Sequence, residues 1–150
     1  MTQAAPVTWC PKESLGYRLK RCLHAWSRQF DNALKPLGLT HLQFVTLGAI
    51  EDISALGEIP SQVRVADWMH QDVMMMSKII RLLEDRGYLE RFPHPEDPRA
   101  NALSITVSGR TQLQDGKPRV IAAHRNFFGR LSDTEQQLLT ATLDKLLVDE

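Results

Sequence analysis

Residues 72–107 read DVMMMSKIIRLLEDRGYLERFPHPEDPRANALSITV, and this stretch decides the fold. Asp72 is a good helix N-cap because a short carboxylate can accept from an orphan backbone N–H of the first turn. Met76, Ile79, Ile80 and Leu83 then recur at helical spacing, the mark of a one-sided apolar face. Gly87 suits the left-handed position that follows a helix C-terminus. The texture then changes. Tyr88 to Phe92 reads as a strand, and Leu103, Ile105 and Val107 alternate as a second one. Between them, Pro93-His-Pro-Glu-Asp-Pro98 is neither helix nor central strand, because proline fixes φ and removes a donor. A helix followed by a hairpin with an extended, proline-rich tip is the expectation.

Upstream, Ser61 caps a short helix with Val65, Ala66 and Met69 inward, ended by a tight turn at His70-Gln71. Thr40 caps a helix running to about Ser54, with Phe44, Leu47 and Ile50 inward, and Gly57 to Pro60 breaks the chain. Leu15, Leu19, Cys22, Leu23, Trp26, Phe30 and Leu34 form one apolar stripe of a first helix, stopped by Pro36 and Gly38. Residues 1–13 read as an arm. Downstream, Thr106 caps a long fifth helix toward Leu131, which Gly116 and Pro118 are expected to interrupt or kink. Ser132-Asp-Thr-Glu135 is a capping box that opens a sixth helix carrying Leu138, Leu139, Leu143, Leu146 and Leu147. The fold class is therefore mainly α with a small β-hairpin wing, a winged helix-turn-helix. It divides into an arm and first helix (1–38), a winged core (39–107) and C-terminal helices (108–150).

The bulk composition bounds the function. At 150 residues and 43% hydrophobic, the chain can build one real core. Eighteen basic and eighteen acidic residues cancel, which argues against a nonspecific cationic coat but not against a local basic face. The two cysteines, Cys10 and Cys22, have no metal-ligand spacing and make no disulfide framework. With no signal-peptide pattern and no apolar run of membrane length, a cytoplasmic protein without a membrane partner is expected. No phosphate-cradling glycine loop, G-x-S-x-G or H-E-x-x-H is present, so a small enzyme is the weaker alternative and no cofactor is expected. His70, Asp72 and His94 match no metal-ligand motif and read as surface residues.

From Leu39 to Gly109 the chain resembles the MarR family of bacterial transcriptional regulators. The resemblance rests on Leu39-Thr40 with Gln43-Phe44, on Ser77-Lys-Ile-Ile-Arg-Leu-Leu-Glu-Asp-Arg-Gly-Tyr-Leu89, on Asp97-Pro-Arg99, and on Leu103-Ser-Ile105-Thr106 with Gly109. Leu131-Ser132, Glu135 and Leu138 extend it toward the C-terminus. It implies a homodimer held by the first, fifth and sixth helices, with double-stranded DNA as partner and repression relieved by a small-molecule effector or an oxidant. An interaction module that has lost DNA binding is the rival, and it would not need Lys78, Arg81 and Arg99.

The helix over 73–86 would then read DNA. Met74, Ser77, Lys78 and Arg81 lie opposite its core face. Serine bonds to bases or phosphate, Lys and Arg to guanine edges or phosphate, and methionine offers apolar surface to a thymine methyl. Met75 is open between core and surface. By resemblance Arg99 enters the minor groove, where a narrow A·T-rich groove favours arginine, and Asp97 would orient its guanidinium through a paired hydrogen bond. From 61 to 110, seven cations (Arg64, Lys78, Arg81, Arg86, Arg91, Arg99, Arg110) face seven acids. Affinity then requires that charge be segregated by face.

Two further readings concern sensing. His24, Trp26, Phe30 and Trp68 are candidates to line an effector cleft, with plain core packing the stronger reading for Trp26 and Phe30. In the peroxide-sensing branch of the resembled family the reactive cysteine falls near the position of Gly16 here. Cys10 and Cys22 therefore read as incidental, since reactivity needs a lowered thiol pKa.

Overall fold

A computed structural model describes residues 11–148. After a short 3-10 turn (Pro11–Glu13) come α1 (Leu15–Leu34), a second 3-10 turn (Lys35–Leu37), α2 (His41–Ala55), α3 (Gln62–Trp68) and α4 (Val73–Asp85). The hairpin β1 (Leu89–Pro93) and β2 (Asn101–Ile105) follows, then α5 (Val107–Phe128) and α6 (Asp133–Leu146).

Each α-helix starts where a short polar side chain satisfies an orphan N–H. Ser14, Thr40, Ser61, Asp72, Thr106 and Ser132 accept from the third residue beyond them. Thr40 with Gln43, and Ser132 with Glu135, close reciprocal capping boxes. The Leu39-Thr40…Gln43 pattern thus has a local physical cause. The turn between α3 and α4 is tight because Gln71 N donates to Ala66 O (2.9 Å) and His70 N to Asp67 O (3.1 Å). His70 takes a left-handed φ of 50° to do so, a conformation that costs an L-residue about 1–2 kcal/mol.

The core is built around α2. Leu47, Ile50 and Ile53 are fully buried, and Leu34, Val65, Met76, Ile80, Leu83, Leu89, Leu103, Ile105 and Leu113 pack with them. Each such side chain contributes about 1.5–3 kcal/mol relative to exposure, so the helix-turn-helix, the hairpin base and the ends of α1 and α5 form one unit. β1 and β2 pair antiparallel from Leu89 opposite Ile105 to Pro93 opposite Asn101. Leu103 N donates to Pro60 O (2.8 Å) and Ser61 bridges Ala102, which ties the hairpin to the segment before α3.

Three expectations are corrected. Val107 does not continue the second strand: Thr106 caps α5 immediately before it, and Val107 is the exposed first residue of that helix. Gly116 and Pro118 do not interrupt α5, which is helical from Val107 to Phe128. Pro118 lies on the exposed side, as does Gln114, whose carbonyl loses its helical partner there, and Gly116 is buried where α5 crosses Phe44 and Leu34. The first strand starts at Leu89, since Tyr88 still belongs to the turn that Gly87 opens.

Apolar surface is left over at the termini. The first-helix stripe is buried only at Phe30 and Leu34, while Leu15, Leu19 and Leu23 are more than half exposed. No residue of α6 is buried, and Leu138, Leu146 and Leu147 face outward.

Candidate nucleic-acid interface and effector cleft

Helix α4 has two sharply different sides. Met76, Ile80 and Leu83 are fully buried. Met74, Lys78 and Arg81 are exposed and follow one another at helical spacing, with Ser77 half-buried beside them. Met75, left open by the sequence, is 45% exposed, and Val73 joins it at the start of the helix. The sequence reading passed over Val73 because its spacing does not separate an outward from an inward position in the first turn.

Charge on this half of the chain is sorted by pairing. Arg64 donates to both carboxylate oxygens of Glu58 (2.6 and 3.1 Å) and lies over the Trp68 ring. This pairing holds the Glu58 carboxyl below the usual carboxylate range. Arg91 pairs with Glu84 at 2.9 Å, and Arg86 donates to Gly38 O. Lys78, Arg81 and Arg99 take part in no ion pair among the described residues. One cation of the 61–110 segment, Arg64, is thus paired with an acid outside it and another, Arg91, with Glu84 inside it, while Lys78, Arg81 and Arg99 stay out of ion pairs on α4 and the wing.

The wing tip is folded by its own backbone. His94 N donates to Ala100 O and Ala100 N to Asp97 O, both at 3.1 Å. Asp97 does not clamp the guanidinium of Arg99 as expected. Its Oδ1 accepts from the backbone N–H of Arg99 at 2.9 Å, an Asx-type turn that a short carboxylate two residues upstream forms naturally. The Arg99 side chain is exposed. The hairpin base is locked to the end of α4: Thr106 Oγ1 donates to Gly87 O (2.6 Å), Thr106 N donates to Tyr88 O (3.2 Å), and Gly109 N donates to Thr106 Oγ1 (3.0 Å).

A second feature lies on the other side of α2. An open cleft of about 760 Å³ runs between α1, α2 and the end of α3. Trp26 and Trp68 line it. Phe30 does not: it is buried, its ring packed 4.7 Å from both Trp26 and His41. His24 does not either, because it is turned away from the face of α1 that carries Leu23, Trp26 and Ser27 to the cleft. The sequence reading missed Asp31, His41 and Asp52. His41 N donates to Asp31 Oδ1 at 2.7 Å across the α1–α2 turn, a contact that no periodicity announces. Burial lowers the His41 pKa from its ordinary value, against the opposing pull of Asp31, which favours the neutral ring.

Cys22 is exposed on α1, and Cys10 lies outside the described residues. Cys22→Ser is expected to leave DNA binding the same as in the parent before and after organic hydroperoxide treatment. Peroxide-induced release in the parent that disappears in Cys22→Ser, read by fluorescence anisotropy of a labelled duplex, would refute the incidental reading of this thiol.

A short helix, a tight turn, a longer helix with an outward cationic side and a hairpin wing together define a winged helix-turn-helix. The MarR family model matches residues 39–100. The uncharacterised HTH-type transcriptional regulator YdcH of Bacillus subtilis is 33% identical over 140 residues, covering 93% of this chain and 94% of that protein. The chain belongs to the MarR family. Among solved structures, a cysteine-to-serine mutant of MarR from E. coli complexed with operator DNA superposes with a TM-score of 0.83 at 22% identity, over 93% of this chain and 99% of that one. BpsR of Bordetella bronchiseptica, whose DNA binding is regulated by 6-hydroxynicotinic acid, gives 0.82 at 25% identity over 92% and 96%. Among the described residues no helix is long and apolar enough to cross a membrane.

Proposed function

We propose that this regulator is a homodimeric repressor that binds an inverted-repeat operator and is released from it by a small molecule held in the cleft. The observation that carries the DNA reading is the sorting of charge: Arg64 and Arg91 are tied up by Glu58 and Glu84, while Lys78, Arg81 and Arg99 are left free on the helix and wing. In this reading α4 enters the major groove, with Met74, Ser77, Lys78 and Arg81 toward base edges and phosphates. Arg99 reaches the flanking minor groove on a wing tip held by Asp97. Residues 39–107 do this work, and 1–38 with 108–150 dimerise. The complex of an E. coli relative with operator DNA supports the reading by likeness. Joint replacement of Lys78, Arg81 and Arg99 by Gln tests it: the parent retains random-sequence duplex on a filter at low salt, and the triple variant does not. Equal retention would move the DNA surface elsewhere.

Dimerisation is supported by the apolar surface left on α1 and α6, since folded monomers rarely keep contiguous surface of this kind in water. Light scattering at micromolar protein is expected to give twice the chain mass. A folded monomer under those conditions would remove both the dimer and the inverted repeat.

The effector reading rests on the cleft. It lies between α1, which the proposed dimer holds, and α2 and α3, which support the recognition helix. A ligand that changes the angle between them changes the spacing of two recognition helices, which groove geometry fixes. BpsR is a relative of this fold whose DNA binding a small molecule regulates.

A further inference from the structure

The charge of the cleft says what kind of molecule it takes. Its walls are aromatic and aliphatic, with Trp26 on one side and Trp68 on the other. The charged side chains among its lining are Asp31 and Asp52, and no Lys or Arg is among them. Arg28 and Lys35, next in sequence to the lining on the α1 side, are not among the lining residues, and Arg64, before Trp68, is paired with Glu58 and faces the Trp68 ring. Burial disfavours a charge on His41, which works against its offsetting the two carboxylates. Asp31 spends one oxygen on the His41 backbone N–H, while Asp52 is in no ion pair among the described residues.

An anionic guest would have to enter an apolar cleft against two carboxylates with no fixed cation to receive it. Burying a charge without a partner is strongly unfavourable. A cationic guest meets the opposite situation: carboxylates at the rim, and in the wall the ring of Trp26, tryptophan being the best aromatic partner for a cation, while Trp68 already has Arg64 over its ring. The volume of about 760 Å³ lies within the range of small-molecule sites.

We propose that the cleft binds a planar aromatic monocation, an arylalkyl-ammonium or related amphiphile, in preference to an aromatic carboxylate. This inference rests on the cleft being the effector site and adds the chemical class. It sets this chain apart from BpsR, whose named effector is an acid. Asp52 and Asp31 confer the preference, and Gly48, with nothing within 4 Å of a Cβ built on it, marks the open middle of the floor.

Three probes of one shape test this: 1-naphthylmethylammonium, 1-naphthylmethanol and 1-naphthoate, titrated calorimetrically into the full chain. The ammonium is expected to bind about tenfold or more tightly than the naphthoate, the sum of two partly exposed charge interactions. Asp52→Asn should remove most of that preference while leaving the neutral alcohol unchanged. Asp31→Asn, which keeps the acceptor for His41, should remove part of it. Gly48→Leu, which fills the floor, should abolish binding of all three probes. Naphthoate binding as tightly as the ammonium, and blocked by Gly48→Leu, would overturn the charge class while leaving the cleft a ligand site. No binding by any probe would overturn both this inference and the effector reading. Binding of the ammonium that survives Gly48→Leu would place it outside the cleft and overturn the inference too.

Discussion

Arg81→Ala is expected to cost about 1–3 kcal/mol per half-site and to relax base preference at one position in each, whereas Arg99→Ala weakens binding to all sequences. The two arginines differ in what they face. Arg81 stands on the exposed side of α4, one turn beyond Ser77 and beside Lys78, where a guanidinium can take guanine O6 and N7 together. Arg99 stands on a hairpin tip whose backbone is fixed by Asp97, and a minor-groove contact reads width and potential more than base identity. Loss of one such contact lowers the slope of log K against log salt by about one. A two-fold dimer doubles both effects. Titrations of each variant against a selected site, its point variants and a random duplex at several salt concentrations separate the roles. Uniform weakening by Arg81→Ala would make it a phosphate anchor, and unchanged specific binding by Arg99→Ala would remove the wing from the mechanism.

Gly109→Ala is expected to destabilise the fold by about 3 kcal/mol, the upper end of the usual cost of overpacking. A Cβ there would lie 2.0 Å from Tyr88 O and 2.8 Å from Ile105 Cγ2. The first obstacle is backbone, and that carbonyl also accepts from Thr106 N, so relief requires the start of α5 to move off the hairpin base. The control is Gly48→Ala, in the interior of α2 with nothing within 4 Å of the added carbon. It should stabilise by about 0.5–1 kcal/mol by removing glycine's excess unfolded-state freedom. Urea unfolding of both variants checks the pair. A Gly109→Ala midpoint equal to that of the parent would mean that the wing is not anchored through this contact.

The wing, the caps and the core face of α4 were legible because each has a local cause. Proline at 95 and 98 keeps the tip out of helix and ladder, and Asp72, Thr106 and Ser132 start helices wherever an apolar period follows. The run of α5 through Pro118 was not legible, because whether a mid-helix proline breaks the helix depends on the packing of Gly116 against Phe44, a tertiary fact. The role of Asp97 was misread for a related reason. Sequence spacing allows its carboxylate to meet either the guanidinium or the backbone N–H of Arg99, and turn geometry chooses the latter. The cleft was half legible. Trp26 and Trp68, two of the four candidates for the lining, are in it, but Asp31, His41 and Asp52 come together with them only when α1 folds back on α2.

The central claim is that two copies of α4, each with its wing, read one two-fold DNA site. Selection of bound sequences from a random duplex pool by the full chain, with the parent and Arg81→Ala run side by side, tests it most directly. Enrichment of an inverted repeat with half-sites about 10 bp apart, one turn of the duplex, is expected, with loss of preference at one position per half-site in Arg81→Ala. Enrichment of a single unrepeated motif, or no enrichment above the starting pool, would contradict it.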